Sequence, residues 1–168
     1  MEDGKLSASS DNDPELLSLG ELARSLPNPE PTIFAYDPVT VHERTAYVAG
    51  QIPKRNGGLA YSGLVGSEVS LSDAKCASRI CAEQTLAWLN QSAGGLENIK
   101  RLLRLNCFVA HTAGFMEISE VADAASLYLQ DVLGEKGRHS RSVIGARSLP
   151  RNAPVLIEVT AALRRSTE

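Results

Sequence analysis

Residue types and motifs that often reveal a function are scarce in this chain. Its 168 residues include three cysteines, three histidines and one tryptophan, and aromatic residues make up only 5%. No apolar run reaches the roughly 20 residues that a membrane-spanning helix needs. Neither a glycine-rich dinucleotide fingerprint nor a phosphate-binding loop with its lysine is present. The sequence therefore gives no support for a membrane span or for a site that holds nucleotide phosphates.

The cysteines and histidines predict neither a disulfide framework nor a metal site. The number of cysteines is odd, Cys76 and Cys81 fall in a helical pattern, and Cys107 lies on the apolar row of a strand. We therefore predict three reduced core thiols, with a structural role for Cys107 favoured over that of a nucleophile. The histidines lie in different predicted elements, and no two of them have the i, i+4 spacing of a zinc-binding helix.

The charge balance is mildly acidic, with 20 Asp and Glu residues against 17 Lys and Arg and a net charge of −3. Such a balance generates no field that would attract the whole chain to nucleic acid or to anionic lipid. The N-terminal stretch "MEDGKLSASSDNDPE" is too acidic and too polar for a signal peptide. We therefore expect a cytoplasmic protein without a nucleic-acid or membrane partner.

The N-terminal part of the chain differs from the rest. Residues 1–12 are poor in large apolar side chains, so we predict disorder there. Asp13, followed by proline and glutamate, begins a predicted short helix that runs to about Ser25. Three prolines then predict an extended linker. Residues 1–31 are therefore interpreted as a tail, a short helix and a proline-rich linker, and residues 32–165 as one domain.

The main domain alternates strand-like and helix-like patterns. The strand-like stretches are "TIFAYD", "VTVHE", "TAYVAGQIP", "NIKRLLRLNCFVAH" and about residues 140–148 and 154–164. The helical ones are "SLSDAKCASRICAEQTLAWLNQSAGG" and residues 115–133. The order β-β-α-β-α-β-β predicts an α+β fold in which one mixed β-sheet is covered on one face by two α-helices.

Strand alternation predicts which side chains face those helices. One row of the fourth strand is Leu103, Leu105, Cys107 and Val109, and one row of the last strand is Val155, Ile157, Val159, Ala161 and Leu163. The opposite row of the last strand is Leu156, Glu158, Thr160 and Ala162. No helix is left to cover this second face, so it is a candidate oligomer interface.

Two charged residues interrupt the last strands, in "GRHSRSVIGARSLPRNAPVLIEVT". A guanidinium is hard to bury without a planar anionic partner, so Arg141 indicates either a clamp for a substrate carboxylate or a salt bridge at the rim of the fold. From the residues alone, Glu158 is better explained by a structural role.

These motifs resemble a known family. The stretches "YVAGQIP", "NCFVAH" and above all "HSRSVIGARSLPRNAPVLIEV" are similar to the RidA/YjgF/UK114 family, once labelled L-PSP endoribonucleases, over residues 32–165. The branch with an N-terminal helical extension, often described as YjgF-like or chorismate-mutase-like, matches best. The most specific feature is an Arg-Ser pair followed, eight residues after the arginine, by Leu-Pro and an apolar-acidic strand.

The resemblance implies a chorismate-mutase-like fold and a homotrimer with ligand clefts between neighbouring subunits. It also implies a cofactor-free hydrolytic deaminase, which converts reactive enamines and imines of the 2-aminoacrylate type into 2-keto acids. In that scheme an arginine holds the substrate carboxylate, a tyrosine lines the cleft and a glutamate positions water. The ligand is then a small carboxylate, and neither a cofactor nor a metal is expected.

Carried over by position, the arginine is Arg141, the tyrosine is Tyr36, and the glycine whose backbone approaches the ligand is Gly50. The position of the water-handling glutamate, six residues after Pro150, is occupied by Leu156. A leucine can neither hold water nor accept its proton.

Two polar residues could replace the missing glutamate. Glu158 matches the second acid of the family's Glu-x-Glu pair, and Asn106 lies on the same kind of face of a neighbouring strand. The first hypothesis is therefore a deaminase in which Arg141, Tyr36 and Glu158 are catalytic. The alternative is a trimer that binds small carboxylates without hydrolysis and acts as a metabolic sensor or partner. An endoribonuclease is less well supported, because the chain lacks clustered cations beside an acid–base pair.

Overall fold

A computed structural model of the chain describes residues 19–29 and 31–164. The disorder predicted for residues 1–12 and the predicted helix start at Asp13 lie outside the described residues. The first described helix, α1, spans Leu19–Ser25. Its apolar side chains, together with Leu26, pack half-buried against the core of the same chain. The helix α1 is therefore docked on the domain that it precedes.

The remaining elements follow the predicted order, with one small hairpin added. They are β1 (Val39–His42), β2 (Thr45–Gln51), β3 (Lys54–Arg55), β4 (Gly58–Leu59), α2 (Leu71–Ala93), β5 (Ile99–Ala110), α3 (Ile118–Leu133), β6 (Ser140–Ala146) and β7 (Val155–Leu163). Five strands form one sheet in the order β1-β2-β7-β5-β6, and β3 pairs with β4. In the large sheet β5 and β6 are parallel, whereas the other neighbours are antiparallel. The predicted mixed sheet is confirmed.

Local signals explain where α2 and the hairpin turn lie. The Ser70 hydroxyl accepts a hydrogen bond from the Asp73 amide at 3.1 Å, which satisfies a free donor at the start of α2. Gly94 ends the helix in the left-handed conformation, which a residue without a side chain adopts at little cost. Asn56 and Gly57 both have positive φ, as the tight turn between β3 and β4 requires.

The two faces of the sheet differ as the strand alternation predicts. In β7 the row Val155, Ile157, Val159 and Ala161 is buried in the core beneath the helices. The opposite row, which includes Leu156 and Glu158, is half-buried. Tyr47 and Ile144 lie on this same face of the sheet. Tyr47 pairs with a residue of the second row of β7, and Ile144 pairs with a residue of β5. Each of the two side chains is about half exposed. No element among the described residues covers the face away from α2 and α3, and we call it the open face.

Three local predictions were wrong. The stretch "TIFAYD" forms bends rather than a strand, because it lies between Pro31 and Pro38 and the sheet begins only at β1. Leu103 is exposed and Leu102 is buried, since the register of β5 against β7 shifts between Leu102 and Arg104. The helix α3 begins three residues later than Phe115, at Ile118.

The cysteines are all reduced, but one of them is not a core thiol. Cys81 and Cys107 are buried, whereas Cys76 lies exposed on the outer side of α2. Burial raises the pKa of the Cys107 thiol to about 12 and raises that of Cys81 as well. The prediction of three core thiols is therefore wrong for Cys76, while the structural role of Cys107 fits its position.

Native alkylation should separate these thiols. With iodoacetamide at about pH 8, we expect one label per chain, on Cys76, because a thiol reacts as its thiolate and needs access to the reagent. Denaturant should raise the count to three, which intact mass and peptide mapping would measure. Labelling of Cys107 in the native protein would contradict the burial of the β5 core row.

Neither a membrane-spanning helix nor a metal-binding cluster is found among the described residues. No described helix has both the length and the apolar character needed to cross a bilayer. Within residues 19–29 and 31–164, no group of three or more His, Cys, Asp and Glu side chains is arranged to hold a metal ion.

Candidate functional site

Tyr36, Gly50 and Leu156 meet in a pocket where the end of β2 approaches the start of β7. We call it the Gly50 pocket, and its volume is about 630 Å³. Its lining consists of Pro31, Thr32, Ile33, Phe34, Tyr36, Gly50, Ile52, Lys54, Pro150, Arg151 and Leu156. The bent segment before β1 thus forms one wall, which explains why its aromatic side chains are exposed instead of paired in a sheet.

Leu156 lies directly on the backbone of Gly50. A Cβ atom at position 50 would be 2.6 Å from Leu156 Cδ2 and 2.9 Å from its Cδ1, so only glycine fits under this side chain without displacing it. At the position where the resemblance implies a water-handling glutamate, the floor of the pocket is therefore a branched apolar group.

The polar groups of the Gly50 pocket are cationic or neutral. Among the residues that the structure describes, its lining includes Lys54 and Arg151 but no Asp, Glu or His. Neither cation forms a salt bridge with any residue that the structure describes. Arg151 is held in the left-handed conformation, with φ at 58°, in the turn before β7. The pocket thus offers positive charge and apolar surface, and its described lining includes no carboxylate or imidazole as a general base.

Glu158 and Asn106 form a separate polar pair on the open face. They are register neighbours on β7 and β5, and Asn106 Nδ2 donates to Glu158 Oε2 at 3.5 Å. Arg104 Nε donates to Asn106 Oδ1 at 3.0 Å and so holds the amide in place. Neither Glu158 nor Asn106 lines the Gly50 pocket. The carboxylate that could replace the family's glutamate is thus absent from the pocket of Tyr36 and Gly50.

Arg141 lies on the other face of the sheet. Its register partner on β5 is the fully buried Leu105, so its side chain points towards α3. There its Nη1 donates to Asp123 Oδ1 at 2.7 Å and to Ser126 Oγ at 3.1 Å. The salt-bridge alternative for Arg141 is therefore the one that this subunit shows. Because the side chains are 24% and 56% exposed, the pair contributes only about 0–1 kcal/mol to stability.

His139 orients the hydroxyl that supports Arg141. Its Nδ1 lies 2.6 Å from the Gly137 carbonyl oxygen, which can only accept, so Nδ1 carries the hydrogen. In the neutral ring Nε2 is then an acceptor, and it receives the Ser126 hydroxyl hydrogen at 3.0 Å. Burial lowers the pKa of His139, and the nearby Arg141 lowers it further, while the bond to Gly137 opposes both. The neutral ring leaves the Ser126 oxygen free to accept from Arg141.

We call Asp123, Ser126, His139 and Arg141 the Arg141 network. Sequence reasoning missed Asp123 and Ser126, although their i, i+3 spacing on α3 places them on neighbouring positions of one helix surface. It also missed Lys54 and Arg151. The structure thus separates the predicted site residues into three groups: Tyr36 with Gly50, Asn106 with Glu158, and Arg141 alone. One subunit does not bring Arg141, Tyr36 and Glu158 together.

Comparison with known proteins identifies the family. The sequence pattern of the YjgF/chorismate mutase-like endoribonuclease family matches residues 17–163. The chain belongs to this family. The YjgF match includes α1, and it confirms the resemblance that the Arg-Ser and Leu-Pro motifs carry.

Relatives of the YjgF family share both sequence and fold with this chain. The protein TCP17 of Trypanosoma cruzi is 35% identical over 118 residues, which are 70% of this chain and 74% of that protein. The structure of Atu1372 from Agrobacterium tumefaciens, whose function is described as unknown, is 38% identical and covers 86% of this chain and 89% of its own, with a TM-score of 0.79. A Shewanella oneidensis protein classed with endoribonucleases is 29% identical over 83% of this chain and 92% of its own, with a TM-score of 0.80.

Proposed function

We propose that this chain binds small organic carboxylates in the Gly50 pocket and does not hydrolyse them. The contact of Leu156 with Gly50 carries this proposal. Hydrolysis of an imine needs a water molecule beside the reacting carbon and a group that accepts its proton. Leu156 stands at the position that the resemblance gives to the water-handling glutamate, and no acid or histidine among the described residues lines the pocket. What remains is a binding site, suited to a metabolic sensor or to a partner of a metabolic enzyme.

The cations of the pocket support a carboxylate as its ligand. Lys54 and Arg151 line it and are free of salt bridges with the described residues, so either side chain can donate to an anion. Tyr36 and the adjacent apolar wall suit the carbon skeleton of the same ligand. Arg141, which the resemblance implies as the carboxylate clamp, is engaged with Asp123 instead.

The proposal includes the homotrimer that the resemblance implies. The open face exposes Tyr47 and Ile144 beside Arg104 and Glu158, and association would bury these apolar groups while leaving clefts at the subunit boundaries. Light scattering should give three times the 18.0 kDa mass of one chain. A monomer in solution would leave this face without a partner and contradict the assembly.

A cofactor-free imine deaminase is the second candidate. The observation that favours it is the half-buried Glu158, whose only hydrogen bond to the described residues is the long one from Asn106, so its carboxylate could still accept a proton. Arg141 would then hold the substrate carboxylate and Tyr36 would close the cleft. Because Arg141 and Glu158 lie on opposite faces of the sheet, such a site would need contributions from two subunits.

Binding and hydrolysis can be measured on the same protein. By calorimetry we expect pyruvate to bind and its uncharged amide, pyruvamide, to bind at least about tenfold more weakly, since a charge-assisted hydrogen bond is lost. With 2-iminopropionate generated in the reaction mixture, we expect keto-acid release at the buffer rate.

Matched variants locate the binding site. Replacing Lys54 or Arg151 with methionine should weaken the binding of pyruvate. Arg44→Met, at an exposed arginine in the turn before β2, should leave that binding unchanged. Faster keto-acid release than in buffer would favour the deaminase, and equal affinity of pyruvate and pyruvamide would refute carboxylate binding.

A further inference from the structure

Exposed cations collect at one end of the large sheet, which we call the basic end. They come from the turn before β2, the start of β5, the segment before β6 and the residue after β7: Arg44, Lys100, Arg101, Arg138 and Arg164. Backbone hydrogen bonds bring these segments together, because Leu163 N donates to Arg44 O and Arg164 N donates to Asn98 O, each at 2.8 Å. The Gly50 pocket lies at the opposite end of β2 and β7.

Most of the cations at the basic end have no anionic partner. Among the described residues, the salt bridges of this end reduce to one, between Arg138 and the exposed Glu135 at 3.8 Å. Arg101 donates to backbone carbonyl oxygens instead. Two further acids lie nearby, Glu43 and Glu97, and neither pairs with a described cation. The basic end therefore carries a surplus of positive charge.

The N-terminal segment of the chain carries the opposite charge. Residues 1–18, which precede the described part, contain five acids and one cation: Glu2, Asp3, Asp11, Asp13 and Glu15, and Lys5. The net charge of this segment is therefore −4, whereas that of the whole chain is −3, so residues 19–168 together carry +1. The negative charge of this protein thus belongs to a segment outside the folded domain's described residues, and it complements the basic end.

The described chain begins near the basic end. The helix α1 contacts the short turn Leu96–Asn98, which leads into β5 and Lys100. Ser25, the last residue of α1, lines a cavity with Gln84 of α2. Because α2 continues from Gln84 to Ala93 and on to that turn, Leu19 is the end of α1 that lies nearer the basic end.

The segment is also long enough to reach these cations. An extended chain spans at most about 3.6 Å per residue, and neighbouring strands lie about 4.8 Å apart. The basic end extends from β2 across β7 and β5 to β6. The residues before Leu19 can therefore cross all four strands.

We propose that the acidic side chains of residues 1–18 bind the basic end of their own chain. Each carboxylate–guanidinium or carboxylate–ammonium pair at such an exposed surface contributes little by itself. Because the acids belong to one segment, the first pair raises the effective concentration of the others. The bound segment covers the basic end and limits the access of other polyanions to its cations. This contact is separate from carboxylate binding in the Gly50 pocket.

A spin label on the N-terminal segment tests the contact. The label is attached at Ser9→Cys in the full chain, which also carries Cys76→Ser because Cys76 is the exposed thiol. A nitroxide weakens the amide NMR signals of residues close to it. At about 0.01 M salt, where the Debye length is about 30 Å, we expect the signals of Lys100, Arg101 and Arg164 to lose intensity and that of Gly50 to keep it. At about 1 M salt, where the Debye length is about 3 Å, the lost intensity should return.

Matched double variants show which cations hold the segment. Lys100→Gln with Arg164→Gln removes two charges from the basic end and should restore intensity at Arg101 and Arg138. Lys75→Gln with Arg147→Gln removes two charges at the start of α2 and after β6, away from the basic end, and should leave the loss unchanged. Neutralising the segment itself, with Asp11→Asn, Asp13→Asn and Glu15→Gln, should also restore the signals.

Some outcomes would overturn the proposal. The label could leave the basic end unaffected at low salt, or its effect could persist at about 1 M salt and so arise from apolar contacts. Signal loss seen only when the label and the isotope-labelled amides are on different chains would assign the segment to a neighbouring subunit. If the label has no effect but a short oligothymidine or phosphatidylglycerol vesicles shift the Lys100 and Arg164 signals, the basic end binds an external polyanion instead.

Discussion

Leu156→Glu is expected to give the chain imine hydrolase activity. The new carboxylate would lie above Gly50, where the leucine now excludes water, and would supply the missing proton acceptor. A positioned general base accounts for about 10²- to 10⁴-fold in rate, so keto-acid release should exceed the buffer rate by about 10²-fold or more.

The assay measures keto acid released from 2-iminopropionate or 2-iminobutyrate formed in the reaction mixture. Leu156→Gln is the matched control, because it has a similar shape and polarity but cannot accept the proton. Thermal unfolding of both variants would show that the fold is retained. The wild-type protein could instead release keto acid well above the buffer rate and lose this activity in Glu158→Gln. Glu158 would then already handle the water, and deamination would replace carboxylate binding as the proposed function.

Gly137→Ala is expected to lower the free energy of unfolding by about 1–3 kcal/mol, the usual cost of forcing an extra group into a packed site. An added Cβ would collide with the carbonyl oxygen of Leu129 and lie 2.8 Å from Gln130 Cα. Both obstacles belong to the backbone of α3, so they cannot rotate away as a side chain would. The turn after α3 must shift, and the Gly137 carbonyl that orients His139 shifts with it.

Denaturant unfolding would measure the loss of stability. Gly114→Ala is the control, because an added Cβ there meets no atom within 4 Å. An unchanged unfolding midpoint for Gly137→Ala would show that the turn after α3 can accommodate a Cβ atom. It would contradict the close packing of Gly137 against α3.

Several features of this protein could be predicted because they depend on neighbours in the chain. Ser70 and Gly94 mark the ends of α2 through hydrogen bonds within one helical turn. The alternation in β7 shows which row is buried, since successive side chains point to opposite faces. Once the sequence is aligned with the family's motif, Leu156 is seen to occupy the position of the water-handling glutamate. This already predicts that a general base is absent from that position.

Other features depend on how distant elements pack. Residues 32–37 have the composition of a strand, yet they form a pocket wall because the sheet begins only after Pro38. The exposure of Leu103 follows from a shift in the register of β5 against β7, which no local pattern shows. In both cases the type of side chain indicates which secondary structure and which degree of burial a residue favours. The packing of the sheet decides which atoms it contacts.

Arg141 shows the division between sequence and tertiary structure. The sequence alone determines that Arg141 lies in a strand, that it needs an anionic partner and that it belongs to the YjgF motif. These three properties follow from residue type and spacing. Only the tertiary structure decides that the partner is Asp123, 18 residues earlier on α3, and that Arg141 itself faces α3, away from Glu158. A guanidinium binds whichever carboxylate the packing of helix and sheet brings within reach, and that packing arises from contacts far apart in the chain.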